Sequence, residues 1–300
     1  MRPLLGIDVG WSLRRRSCAL ATSSPIVQRR GSSAGPRAFV GQCSLTELLD
    51  ELRWLATTYR EALRSAVLVI DGPVGPEIDA VHDRGVDGAF ARGGFHHRAP
   101  AYAITHGTGL RLSQVTAQIL RSLDEFVAVR PWLGGALPND GLVVAETNPT
   151  PAMALLLPQQ DIPSLPSRRQ PKSVGGTRIR AKSDWYWRLG GGQYAARLLD
   201  DASIAAEVNH ERVAGLFALA LAWAMAYEAG DGGSVTALGD ANGVYIVPSE
   251  IDETWREDVC RVGVVYGDVR FSPRQVMPLP AGTGHAGRLD AGNAAPSPRI

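Results

Sequence analysis

Leu4-Leu5-Gly6-Ile7-Asp8 is an apolar run that stops at an acid, and two later stretches repeat the pattern: Ala66-Val67-Leu68-Val69-Ile70-Asp71 and Leu142-Val143-Val144-Ala145-Glu146. Runs this short and this rich in Val, Ile and Leu read as buried strands of a mainly parallel sheet. Ligand sites in such sheets lie beyond the carboxyl ends of the strands. Three acids at three such ends are therefore expected to meet in one cleft.

Working outward from the first run, Cys18 to Thr22 and Arg37 to Val40 read as a second and third strand, giving an antiparallel meander. Ser44 to Leu63 carries Leu45, Leu48, Leu49, Leu52, Leu55 and Ala56 at helical spacing and opens on a capping Ser, so it predicts a helix crossing to the Asp71 strand. From Gly72 to Gly109 the chain is rich in Gly, His and Arg with little periodicity, and is expected to be a long functional loop. His96 and His97, adjacent on an extended segment, would point opposite ways and not share a metal.

Leu112, Val115, Ile119, Leu120, Leu123, Phe126 and Val127 outline an amphipathic helix ended by Pro131, and Thr150 to Leu157 a short one stopped by Pro158. Loop is expected through Pro163, Pro166 and Pro171 to Gly175-Gly176. Arg168, Arg169, Lys172, Arg178, Arg180, Lys182 and Arg188 face only Asp184 in this region, the one strongly basic segment. Ser183 is the expected N-cap of a helix through Trp185, Tyr186 and Trp187, broken at Gly190-Gly191-Gly192 and resumed from Tyr194 to Leu199. Glu211 to Tyr227 is apolar nearly all round, which predicts a central buried helix. Gly243 to Val247 and Val262 to Tyr266 read as late strands. The expected organisation is one α/β domain over 1–278 with an insertion around 150–200, then a flexible tail over 279–300.

Of 300 residues, 45% are hydrophobic and 20% charged, an ordinary globular composition. With 31 basic against 30 acidic residues there is no global field to attract nucleic acid, so any basic surface must be local. Cys18, Cys43 and Cys260 are too few and too scattered for a disulfide framework or a zinc ribbon. With no signal-like apolar region and no membrane-length run, the expectation is a soluble, cytoplasmic protein that does not engage a membrane.

Gly6-Ile7-Asp8, Val69-Ile70-Asp71-Gly72-Pro73, the Arg84 to Arg98 segment with Phe95 and Arg98, Glu146-Thr147-Asn148-Pro149, and Asn209-His210-Glu211-Arg212 before an Ala-rich helix together resemble the DUF429 family of predicted ribonuclease H-like nucleases. The strand, strand, strand, helix, strand order is also that of a ribonuclease H-like core. The resemblance implies an α/β fold with a mixed sheet flanked by helices, and a phosphodiester hydrolase using Mg2+ or Mn2+. By position, Asp8, Asp71 and Glu146 would be the metal-binding carboxylates, with His210 as a further catalytic group. Hard cations need such oxygen ligands, and a pair of them would activate water and stabilise the leaving oxygen. Arg98, Arg178, Arg180 and Lys182 would contact the phosphates of a nucleic acid or nucleotide.

One position departs from the family's pattern. Where an acid is usual on the late helix, this chain has Val213; Glu211 lies about 200° away around a helix, while His210 shares the Val213 face. Two alternatives follow: a non-catalytic ribonuclease H-like module that binds nucleic acid or protein, and an actin-like phosphotransferase, since Gly6-Ile7-Asp8-Val9-Gly10 also resembles that superfamily's first phosphate-binding turn.

Overall fold

The computed structural model describes residues 2–23, 38–74, 84–98, 107–164, 175–227, 235–240 and 243–266, with the side chains of 96–98, 175–181 and 264–266 outside the description. The three acid-terminated runs are strands: β1 (Leu4–Asp8), β4 (Val67–Asp71) and β6 (Leu142–Thr147). Between the first two lie β2 (Cys18–Ser23), β3 (Ala38–Cys43), α1 (Leu45–Thr58) and α2 (Arg60–Leu63). The meander is antiparallel, and β1 and β4 are parallel, as read from the sequence. Ser44 caps α1 in a reciprocal box: its Oγ accepts from the Glu47 N–H at 3.3 Å, and Glu47 Oε2 accepts from the Ser44 N–H at 2.8 Å. The predicted single helix breaks at Tyr59.

Downstream come α3 (Gly85–Phe90), α4 (Gly93–Arg98), α5 (Gly107–Asp124), β5 (Val129–Pro131), α6 (Pro149–Ala154), α7 (Gly175–Arg188), α8 (Gly191–Leu198) and α9 (His210–Tyr227). The described chain ends with β7 (Val235–Asp240), β8 (Gly243–Pro248), α10 (Arg256–Val262) and β9 (Val264–Tyr266). The mixed sheet runs β3-β2-β1-β4-β6-β8-β7-β9, with β5 added beside β6. No described helix is long and apolar enough to cross a membrane.

Two expectations are corrected. Gly72 to Gly109 is not a structureless loop: α3 and α4 lie within it, short helices that begin with glycine and carry too few turns for a period to show. His96 and His97 therefore sit on a helix and not on an extended segment. The basic segment is helical from Gly175, so Ser183 is mid-helix and not an N-cap. Among the described side chains of α7, Trp185 and Tyr186 are buried, and the Gly175-Gly176-Thr177-Arg178 start offers the sequence no apolar stripe to read. The 279–300 tail and the loop around Pro166 and Pro171 lie outside the described residues.

Register decides which way the strand-end acids point, because side chains of directly paired residues share a face of the sheet. Ile7 pairs with Ile70 and Ile70 with Glu146, whereas Asp71 pairs with Thr147 and the β1 register continues Asp8 beside Asp71. Ile7 and Ile70 pack in one core with Leu48 and Leu52 of α1 and Ile119 of α5. Asp8, Asp71 and Thr147 therefore point to the opposite face, which α9 crosses. That crossing is close: a Cβ on Gly6 would stand 2.3 Å from Leu219 N and 2.4 Å from Gly215 O. Glycine at this position is what lets helix backbone rest on strand backbone.

Candidate active site

At the carboxyl ends of β1 and β4, the Asp8 and Asp71 side chains share a hydrogen bond. Both remain partly exposed, so the pair is reachable from solvent. Burial and the Asp71 charge push the Asp8 carboxyl well above its ordinary range, and burial pushes Asp71 up to about 7, with the Asp8 bond and Lys182 pulling it back. Two crowded carboxyls cannot both ionise cheaply, so the folded pair keeps a proton up toward neutral pH that an ordinary Asp releases near 3.8.

The turn after Asp8 is held by its own backbone. The Gly10 N–H donates to Cys18 Sγ and the Cys18 thiol donates to Gly10 O, both at 3.3 Å. A Cβ on Gly10 would fall 2.1 Å from Ser17 O. Burial pushes the Cys18 thiol up to about 11, which leaves it an unreactive packing group.

From the α9 side comes Glu211, whose charge acts on Asp8. Its Oε1 accepts from His210 Nε2 at 2.9 Å, while Oε2 is buried with no hydrogen-bond partner. Burial pushes the Glu211 carboxyl up, but the His210 bond and charge outweigh it and hold the group below its ordinary range. His210 is buried, with Nδ1 3.4 Å from Ser183 Oγ and its ring 5.7 Å from that of Tyr186. Tyr186 OH in turn meets Thr150 Oγ1 at 2.8 Å, tying α7 to α6. Lys182, one helical turn before Tyr186, places Nζ 5.5 Å from the ring centre and is the cation that eases the charge of Asp8, Asp71 and Glu211.

The placement of Glu211 corrects the angular argument made from Val213. Gly215 and Leu219 press on Gly6, and Glu211 is four residues before Gly215, so it continues their stripe toward the Asp8 end of β1. Val213 faces α8, where a Cβ on Gly191 would stand 3.2 Å from Val213 Cγ1. The signal was present in the sequence as Glu211-x3-Gly215-x3-Leu219, but only the contact with Gly6 identifies that stripe as the one facing the strands.

Glu146 does not join the pair. It points to the α1 and α5 face and is gripped by Arg84, whose NH1 and NH2 donate to Oε2 at 2.5 Å and Oε1 at 2.6 Å. Arg84 also donates to both oxygens of Asp87 at 2.9 Å, and Tyr245 OH donates to Asp87 Oδ1. The Val74 N–H donates to Glu146 Oε2 at 2.9 Å. Burial pushes Glu146 up to about 7 against the pull of Arg84. Its role is thus to anchor the turn that follows Asp71, with Arg84, 62 residues away, as a partner no local pattern announces. Thr147 takes the third place on the α9 face, but its hydroxyl donates to Ile246 O at 2.9 Å. The side chains of Arg98, Arg178 and Arg180 lie outside the described residues.

Among the described residues no three His, Cys, Asp or Glu side chains gather into a metal cage. A site of two carboxylates on strand ends, with the charge of Glu211 acting on it from α9, fits a small hard cation that keeps most of its waters, as Mg2+ does, and does not fit Zn2+ or Ca2+ held by protein alone. Comparison with family models, with curated proteins and with solved structures found no match to this chain.

Proposed function

We propose that the chain is a ribonuclease H-like, metal-dependent phosphodiester hydrolase, as its resemblance to DUF429 implies, working through Asp8, Asp71 and Glu211. The observation that carries this reading is the pairing of Asp8 and Asp71 at neighbouring strand ends, with the charge of Glu211 acting on Asp8 from α9 and Glu211 Oε2 buried without a hydrogen-bond partner. Asp8 and Asp71 would hold Mg2+ or Mn2+, which when bound supplies an activated water and charge neutralisation at the scissile phosphate. His210 fixes Glu211 by binding Oε1 and leaves Oε2 without a hydrogen-bond partner. Lys182, exposed beside the acids, supplies an ammonium for a phosphate oxygen. Glu146 and Arg84 hold the turn behind Asp71 and touch no substrate.

Cleavage of labelled single- and double-stranded DNA and RNA with Mn2+ tests this. Wild type should cut at least one substrate, while Asp8→Asn and Glu211→Gln should lower the rate by two or more orders of magnitude. Activity that survives Asp8→Asn refutes the assignment. Val213, where the family's pattern has an acid, favours one second reading, a non-catalytic nucleic-acid-binding module. Binding without cleavage and without any Mn2+ uptake selects it.

A further inference from the structure

Three residues beyond Asp8, the β1 to β2 connection reads Trp11-Ser12-Leu13-Arg14-Arg15-Arg16. Its backbone is built firmly. The Leu45 N–H donates to Ser12 O at 2.9 Å, Thr46 Oγ1 to Leu13 O at 3.1 Å, the Arg15 N–H to Ser12 Oγ at 2.8 Å, and Gln42 Nε2 to Arg16 O at 2.7 Å. These bonds use main chain and small side chains, and they leave the large side chains facing water. Trp11 is 44% exposed and Leu13 64%, and all three arginines are exposed. Among the described residues no carboxylate forms an ion pair with Arg14, Arg15 or Arg16.

The partly exposed Trp11 indole stands beside three consecutive guanidinium groups, and the chain's net charge of only +1 makes this a local field and not a general one. Guanidinium groups bind phosphate oxygens, and an exposed indole stacks on a base only where the base is not already stacked within a duplex. From this loop we infer that the substrate of the Asp8 and Asp71 site is a single-stranded polynucleotide, with Trp11 stacking on one base and Arg14, Arg15 and Arg16 neutralising the neighbouring phosphates. This rests on the phosphodiesterase reading for the reaction, but the binding it describes stands apart from metal and cleavage. The loop follows directly from the strand that carries Asp8, so a strand held there is delivered to the carboxyl end of β1.

The test is equilibrium binding of fluorescent single-stranded DNA and RNA oligonucleotides, and of the corresponding duplexes, to the full chain in EDTA over a range of salt concentrations. Single strands should bind more tightly than duplexes, with the DNA and RNA arms deciding which sugar is preferred. Trp11→Ala should weaken binding roughly five- to hundredfold, and Trp11→Phe should restore most of it. Replacing the three arginines together by Gln should lower the slope of log K against log salt by about 2, at an unchanged melting temperature. No single-strand binding at low salt, duplex binding tighter than single-strand binding, or affinity indifferent to both Trp11→Ala and the triple replacement would overturn the inference. Because metal is absent, these failures are separate from loss of cleavage in Asp8→Asn, which reports on the carboxylates alone.

Discussion

Asp71 shows how a single side chain carries both the candidate chemistry and a cost to folding. In the folded protein its proton is held up to about pH 7, against 3.8 for an ordinary Asp, so between those values the native state binds more protons than the unfolded one. Stability must therefore fall as pH rises through that window and stay lower above it. Glu146, also raised to about 7, adds to the same slope. Asp71→Asn removes the Asp71 part: the variant should be more stable than wild type at pH 8, on the order of 2 kcal/mol, with the difference vanishing near pH 4. Urea denaturation at the two pH values measures it, and a variant less stable at pH 8 would show that burial does not penalise the ionised Asp71 carboxylate. The Asp71 acid was legible in the sequence from its place at a strand end. The direction of Glu146 was not, because a shift of one residue in register reverses the face, and nothing in Leu142 to Glu146 states the register with β4.

At the level of elements, the contact that builds the site is α9 lying on β1. Gly6 touches helix backbone at Gly215 and Leu219, and Glu211 belongs to the same helical stripe. Gly6→Ala must push the helix off the strand, since the added carbon meets main-chain atoms that no rotamer change can move. A loss of about 3 kcal/mol in urea denaturation is expected, together with weaker Mn2+ uptake as Glu211 retreats from Asp8. A Gly6→Ala protein with wild-type stability would mean that α9 does not rest there. The helix itself was readable because it is apolar all round, and α1 because its stripe and its capping box agree. By contrast α3 escaped because so short a helix owes its existence to tertiary contacts, such as Asp87 and Arg84 around Glu146, and the first half of α7 because its sequence carries no apolar period. Strand β7 was missed as well, although Val235–Asp240 is buried over most of its length between β8 and β9.

For the whole molecule, the proton on the Asp8 and Asp71 pair links folding, pH and cation binding. A divalent cation must displace that proton, so its affinity rises as the pair ionises, and whatever binds only the native state stabilises it by about 2.7 kcal/mol at a hundredfold excess over the dissociation constant. In a chain of this length that amounts to a rise in melting temperature of roughly 4–5 °C. The Mn2+-induced rise should be small at pH 6, where Asp71 is largely protonated, and approach its full value at pH 8. This is the reverse of the trend in the metal-free protein, whose melting temperature falls over the same interval. Asp8→Asn should abolish the induced rise at both pH values while leaving the fold intact. Thermal melts of the two proteins with and without Mn2+ decide it: an equal shift in Asp8→Asn, or one that does not grow with pH, would place the cation somewhere other than between these strands.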